Sequence, residues 1–212
     1  MKKEKIITAY TPEEEKANFW THLIGVIFGF WGVFFTLTNS SSQKQQVSTL
    51  VFFITVVILY SSSSLYHYVT EKKRKQLFKK LDHISIYLLI AGTFTPFCFG
   101  LLSEEPIGQK LGIAIWSIAA LGTIFKVFFT GKYEFISLAS YLGMGWMGYL
   151  MFDNIGELAG EEVVNLILYG GLSYTIGVVF YVMRKLKYHH AIWHLFVLGG
   201  TVFHSLAILH LL

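Results

Sequence analysis

The sequence predicts an all-α membrane protein, a single domain over residues 1–212 built as a bundle of seven transmembrane helices. Three observations lead there. Hydrophobic residues make up 54% of the chain and charged residues only 14%, too little polar surface to cover a soluble domain of 212 residues. The apolar residues gather into blocks near the length of about 20 that a helix needs to cross a bilayer. The basic residues sit in short polar connections between the blocks, as topology signals do.

Residues 1–18 read as a short cytoplasmic lead-in of mixed charge, without the apolar run and cleavage site of a signal peptide. Thr11, Pro12 and Glu14 carry a helix start: a capping hydroxyl, a proline suited to the first turn, and a carboxylate placed for a capping box. The spans are expected at 19–37, 47–68, 84–102, 111–130, 135–152, 163–183 and 192–212. Gly25, Gly29 and Gly32 in the first span, and Gly143 and Gly148 in the fifth, suit close helix contacts. Pro96 is expected to kink the third span. The segment 153–162 reads as a polar loop.

Of the 17 Lys and Arg residues, 15 fall on the side of the N-terminal segment, and only Lys44 and Lys110 fall on the other. The N-terminus is therefore expected in the cytoplasm and the C-terminus outside, in the cell (plasma) membrane. Lys126, near the inner end of its span, is expected to snorkel to the interface. A formal charge of +4 spread over short loops does not suit a nucleic-acid partner, and the single Cys98 excludes an internal disulfide.

Ionisable residues inside spans are costly and mark function. Ser63 and His67 end the second span, Asp82 starts the third, and His190 and His194 start the seventh, all at the same cytoplasmic depth. Histidines four apart share one helix face and can present two imidazoles to one metal ion. His67 can supply a third ligand from a neighbouring helix. Three histidines without cysteine suit Zn2+ and leave a position for water. Asp82 is then placed as a general base, with Ser63 orienting it or stabilising a developing oxyanion. Plainer readings stand beside these. Asp82 can be a helix N-terminal carboxylate favoured by the macrodipole, and each histidine an interfacial residue. His22 and His204 read as hydrogen-bonded helix contacts outside the metal layer, and His83 and His189 as headgroup neighbours.

These residues resemble the haemolysin III family, the bacterial branch of the progestin and adipoQ receptor family. The resemblance runs from Asn18-Phe-Trp-Thr-His22 through Ser63-xxx-His67, Lys80-Leu81-Asp82 and Ala91-Gly-Thr-Phe-Thr-Pro96 to His190-xxx-His194, with His204 ten residues on. It implies a seven-helix fold with the N-terminus inside, zinc held by His67, His190 and His194, and Asp82 contacting zinc-bound water. The wider superfamily includes alkaline ceramidases, which share the Ser, Asp and three-His pattern. The resemblance thus implies a zinc-dependent hydrolase of a lipid amide or ester, with membrane lipid as substrate. A membrane sensor with structural zinc is the second expectation, and cytolytic activity the third. With fewer than 20 residues before the first span, and short outer loops, a receptor for a folded hormone is not expected.

Overall fold

The computed structural model describes residues 10–40 and 42–212. Seven helices in it are long and apolar enough to cross a membrane. They are α1 (Pro12–Asn39), α2 (Gln43–Tyr68), α3 (Lys72–Leu101), α4 (Pro106–Phe129), α5 (Glu134–Ala159), α6 (Glu161–Val182) and α7 (His189–Leu209). The shortest, α7 with 21 residues, spans roughly 32 Å at 1.5 Å per residue, enough for a hydrocarbon core of about 30 Å. Of the expected lead-in, residues 1–9, with Lys2, Lys3 and Lys5, lie outside the described residues.

The helix starts explain much of the architecture. Thr11 and Glu14 close the expected capping box: Glu14 N–H donates to Thr11 Oγ1 at 3.3 Å, and Thr11 N–H donates to Glu14 Oε2 at 2.9 Å. Glu14 also accepts the backbone N–H of Tyr188 at 3.1 Å, which ties the start of α1 to the turn before α7. Tyr188 sits at φ 60, a left-handed conformation that few side chains adopt, and this carboxylate helps hold it there.

Two segments read as loops are helical. α3 begins at Lys72, so the basic segment before the third span is three turns of helix. Asp82 therefore lies ten residues inside α3, beyond the first turn where a macrodipole acts, and its reading as an N-terminal residue is overturned. α5 runs past Phe152, through a 3₁₀ turn at Met147–Met151, to Ala159. Ile155 is fully buried while Asp153 and Glu157 face outward, so a helical period in a charged stretch imitates a loop. Gly160, at φ 88, makes the turn into α6. At Pro96 the third helix passes into a π-helical stretch, Pro96–Leu101, because proline leaves a carbonyl of the preceding turn without its amide donor.

Consecutive helices pack side by side and α7 returns to α1. α1 lies against α2 along Gly25, Gly29 and Gly32; a Cβ on Gly25 would stand 2.5 Å from the Tyr60 ring. Tyr60 has no room to yield. Its hydroxyl bonds Thr201 at 2.7 Å, and Tyr174 bonds the same hydroxyl at 2.9 Å, while Thr201 donates to Val197 O. α2, α6 and α7 are thereby joined at one buried oxygen. The fifth span differs from expectation. Gly143 has nothing within 4 Å of where a Cβ would stand, and Gly148 meets only Phe94 at 3.6 Å. These glycines leave space instead of closing a contact.

Gly25→Ala is expected to destabilise the folded protein in detergent by roughly 1–3 kcal/mol, while Gly143→Ala is neutral or slightly stabilising. Thermal unfolding of the two variants beside wild type checks this contrast.

Candidate metal centre

Two helices, α2 and α7, bring His67, His190 and His194 together. Their rings are buried, and one ligand nitrogen from each lies within 4.8 Å of the other two. The ring centroids are 5.2 Å apart for His67 and His190, 5.3 Å for His67 and His194, and 4.5 Å for His190 and His194. The i, i+4 pair thus shares one face of α7, and α2 supplies the third imidazole at the same depth.

The outer partners decide which nitrogens are available. His67 Nδ1 lies 2.6 Å from Glu15 Oε2, and a carboxylate in that position accepts, so Nδ1 carries the proton. Lys75 Nζ donates to the other oxygen of Glu15 at 2.9 Å, and to the Tyr66 carbonyl at 3.0 Å. His194 Nδ1 lies 3.2 Å from the Asn18 carbonyl, which can only accept, and 3.0 Å from Thr21 Oγ1. Its proton is therefore also on Nδ1. Both Nε2 atoms then present lone pairs, and both are buried without a hydrogen-bond partner, as are both nitrogens of His190. An unmade hydrogen bond in an apolar interior costs on the order of 1–3 kcal/mol. Three such atoms at one point, each backed by an oriented second nitrogen, fit the way proteins mount a divalent metal.

α1 provides most of this backing, and the sequence reading assigned it none. Glu15, Asn18 and His22 recur at helical spacing just before Gly25, Gly29 and Gly32, so one face of α1 is polar at its start and glycine-lined beyond. That periodicity was the available signal. Tyr10 covers the site, its ring 4.9 Å from His190 and 5.9 Å from His67. Burial, and the Glu15 carboxylate near it, push the Tyr10 phenol well above its ordinary pKa, so it remains protonated.

Asp82 is buried, and it and His190 line one cavity of about 180 Å³. Ser63 is fully buried and faces Asp82, but its Oγ makes no well-formed hydrogen bond and does not reach the cavity wall. His67 and His194 stand behind His190, away from the cavity. The rest of the wall is mostly apolar and is bounded by α3, α5, α6 and α7, with Gly145 and Gly171 opening room along it.

Other histidines correct the sequence reading. His22 makes no hydrogen bond; it stacks on His194 with centroids 3.4 Å apart and lines the cavity, because burial on α1 turns it toward α7. His83 lines the cavity and His189 is buried beside Tyr10, so neither meets headgroups. His204 is a hydrogen-bonded helix contact as expected, Nε2 to Ile167 O at 3.1 Å. Lys126 does not snorkel. It is 1% exposed and lines the cavity.

A seven-helix membrane protein with three convergent buried histidines is thus the class that fold and site define. The profile of the family described as Haemolysin-III related matches residues 10–205, and the chain belongs to that family. It is 39% identical over 127 residues to a hemolysin-3 homolog of Bacillus subtilis (strain 168), covering 60% of this chain and 59% of that one. It is 43% identical over 127 residues to hemolysin-3 of Bacillus cereus, covering 60% and 58%. Similarity extends to the human monocyte to macrophage differentiation factor, 33% identical over 132 residues, covering 62% and 54%. The matched region spans under two thirds of each relative's length.

Glu15→Gln is expected to raise the dissociation constant of a divalent metal about 10–100-fold, because the His67 proton loses its charged acceptor. Glu13→Gln, on the exposed face, leaves it unchanged. Competition with a chromophoric chelator measures both.

Proposed function

We propose that this protein is a zinc-dependent hydrolase of a lipid amide or ester, working within the plasma membrane near its cytoplasmic face. The observation that carries the reading is the shared cavity: Asp82 and His190 both line one mostly apolar chamber. His67, His190 and His194 hold the ion through nitrogens that nothing else in the protein satisfies. All three ligands are neutral imidazoles, which suits zinc and leaves room for a further ligand. Bound there, zinc polarises a carbonyl and makes water nucleophilic near neutral pH.

The remaining work belongs to the chain. Asp82 takes the proton of the attacking water and returns it to the leaving amine or alcohol. Ser63, buried facing it, is the hydroxyl free to donate to the carboxylate and orient it. The apolar wall excludes bulk water and accepts an acyl chain. With the N-terminus inside, as the basic residues indicate, the histidine layer lies at the depth of the inner headgroups, where the ester and amide bonds of lipids are found.

A structural role for zinc is the second reading, favoured by the fixed mounting of His67 and His194 on α1. The name of the Bacillus relatives, hemolysin-3, suggests cytolysis. A chain that presents Trp20, Ile27, Phe34 and many other large apolar side chains to its surroundings is held in its own membrane, so we treat lysis as a consequence of altered lipid.

Asp82→Asn separates the readings. With metal content confirmed equal, hydrolysis of a panel of lipid amides and esters is expected to fall by about 10²–10⁴-fold. Unchanged turnover in the variant, or a metal-loaded wild type that cleaves no member of the panel, contradicts the hydrolase.

A further inference from the structure

Lys126 ends in a place that demands explanation. It is three residues from the end of α4, where a lysine could reach out of the bundle, yet it is 1% exposed. Its ammonium makes no hydrogen bond or ion pair within 4.0 Å among the described residues. The ammonium of this buried residue opens into the cavity without a partner, a costly placement for a charge in any protein and more so inside a bilayer.

The surroundings show what the ammonium serves. Glu134 on α5 lines the same cavity but is turned to other partners: Tyr181 donates to its Oε2 at 2.7 Å, and Arg184 approaches that oxygen at 3.9 Å. Lys79 on α3 reaches over Gly131 in the α4–α5 turn, adding a second positive charge at this corner. Two more polar groups are left over there, the Ser137 hydroxyl and His83 Nδ1, both buried without a partner. Lys126, Ser137, His83 and Glu134 all line the same cavity as Asp82 and His190. An ammonium, a hydroxyl and an imidazole thus line one mostly apolar chamber, with their hydrogen bonds unmade.

We propose that this corner binds the phosphate of a phosphate-bearing lipid headgroup, whose acyl chain lies along the apolar wall past Gly145 and Gly171. A phosphate offers enough acceptor oxygens for all three groups, and its charge answers that of Lys126. The free anion lacks the chain that the wall accommodates. This assignment names the lipid class that the proposed hydrolase admits and rests on that reading for its functional meaning. Its test reads binding alone, so it succeeds or fails independently of turnover.

Purified protein in neutral detergent is titrated with a fluorescent single-chain acylglycerol phosphate, its uncharged acylglycerol counterpart, and inorganic phosphate as competitor. Wild type is expected to bind the phosphate-bearing lipid about tenfold or more tightly than the neutral one. Lys126→Met, checked for an unchanged melting temperature, binds both alike, and Lys126→Arg retains the preference. The His190→Ala/His194→Ala variant also retains it, which separates this site from the metal centre. Equal binding of the two lipids by wild type, or a preference that survives Lys126→Met, overturns the proposal. Competition by inorganic phosphate at the concentration of the lipid overturns the lipid assignment in favour of a free anion. If Lys126→Met fails to fold, Ser137→Ala takes its place and is expected to weaken only the phosphate-bearing lipid.

Discussion

Neutral imidazoles buried in a membrane-spanning bundle must find partners within the protein, because the hydrocarbon around them offers none. Here His67 and His194 each give one nitrogen to α1 and turn the other inward, where it meets His190 and no hydrogen-bond partner. The arrangement of the end of the bundle that carries the histidines follows from this. Glu15 must reach His67, so α1 has to begin before its apolar stretch, and the capping box at Thr11 and Glu14 starts it there. Glu14 in turn holds Tyr188, and with it the register at which α7 presents His190 and His194.

Two kinds of packing divide the bundle. Along α1, α2 and α7, glycines at the interface bring backbones close and the Tyr60–Thr201–Tyr174 bonds lock them. Around α5 the same residue type has the opposite consequence, since nothing fills the space beside Gly143, Gly145 or Gly171. The close-packed half therefore carries the histidines, and the half around α5 leaves room for the cavity that His190 lines. That division suits a site that must hold its ligands still while admitting a flexible apolar molecule.

The number of spans and the three histidines were legible because each rests on local patterns, apolar block length and i, i+4 spacing. The tail of α5 was not, because Asp153 and Glu157 lower the hydropathy of a stretch whose helical period survives only in Ile155. The start of α3 was hidden in the same way by its lysines, which led Asp82 to be placed at a helix end instead of ten residues within one. His22 and Lys126 were misread for a different reason. Whether a polar residue near the end of a span turns to headgroups or to the interior depends on which helix covers it, and that is a tertiary fact. The role of Glu15 was recoverable from its spacing to Asn18 and His22, since the helix start at Thr11 and Pro12 was itself legible; its partner on α2 was not, because that contact is tertiary.

The central claim is that the convergent lone pairs of His67, His190 and His194 hold a metal ion. Metal content of the purified protein in detergent, wild type beside His190→Ala/His194→Ala, tests it most directly. The account predicts about one zinc per chain in wild type and its loss in the variant, with the fold retained. A wild-type protein that stays metal-free even after reconstitution with zinc would contradict it, and the three histidines would then stand as buried side chains whose unmade hydrogen bonds have no ligand to answer them.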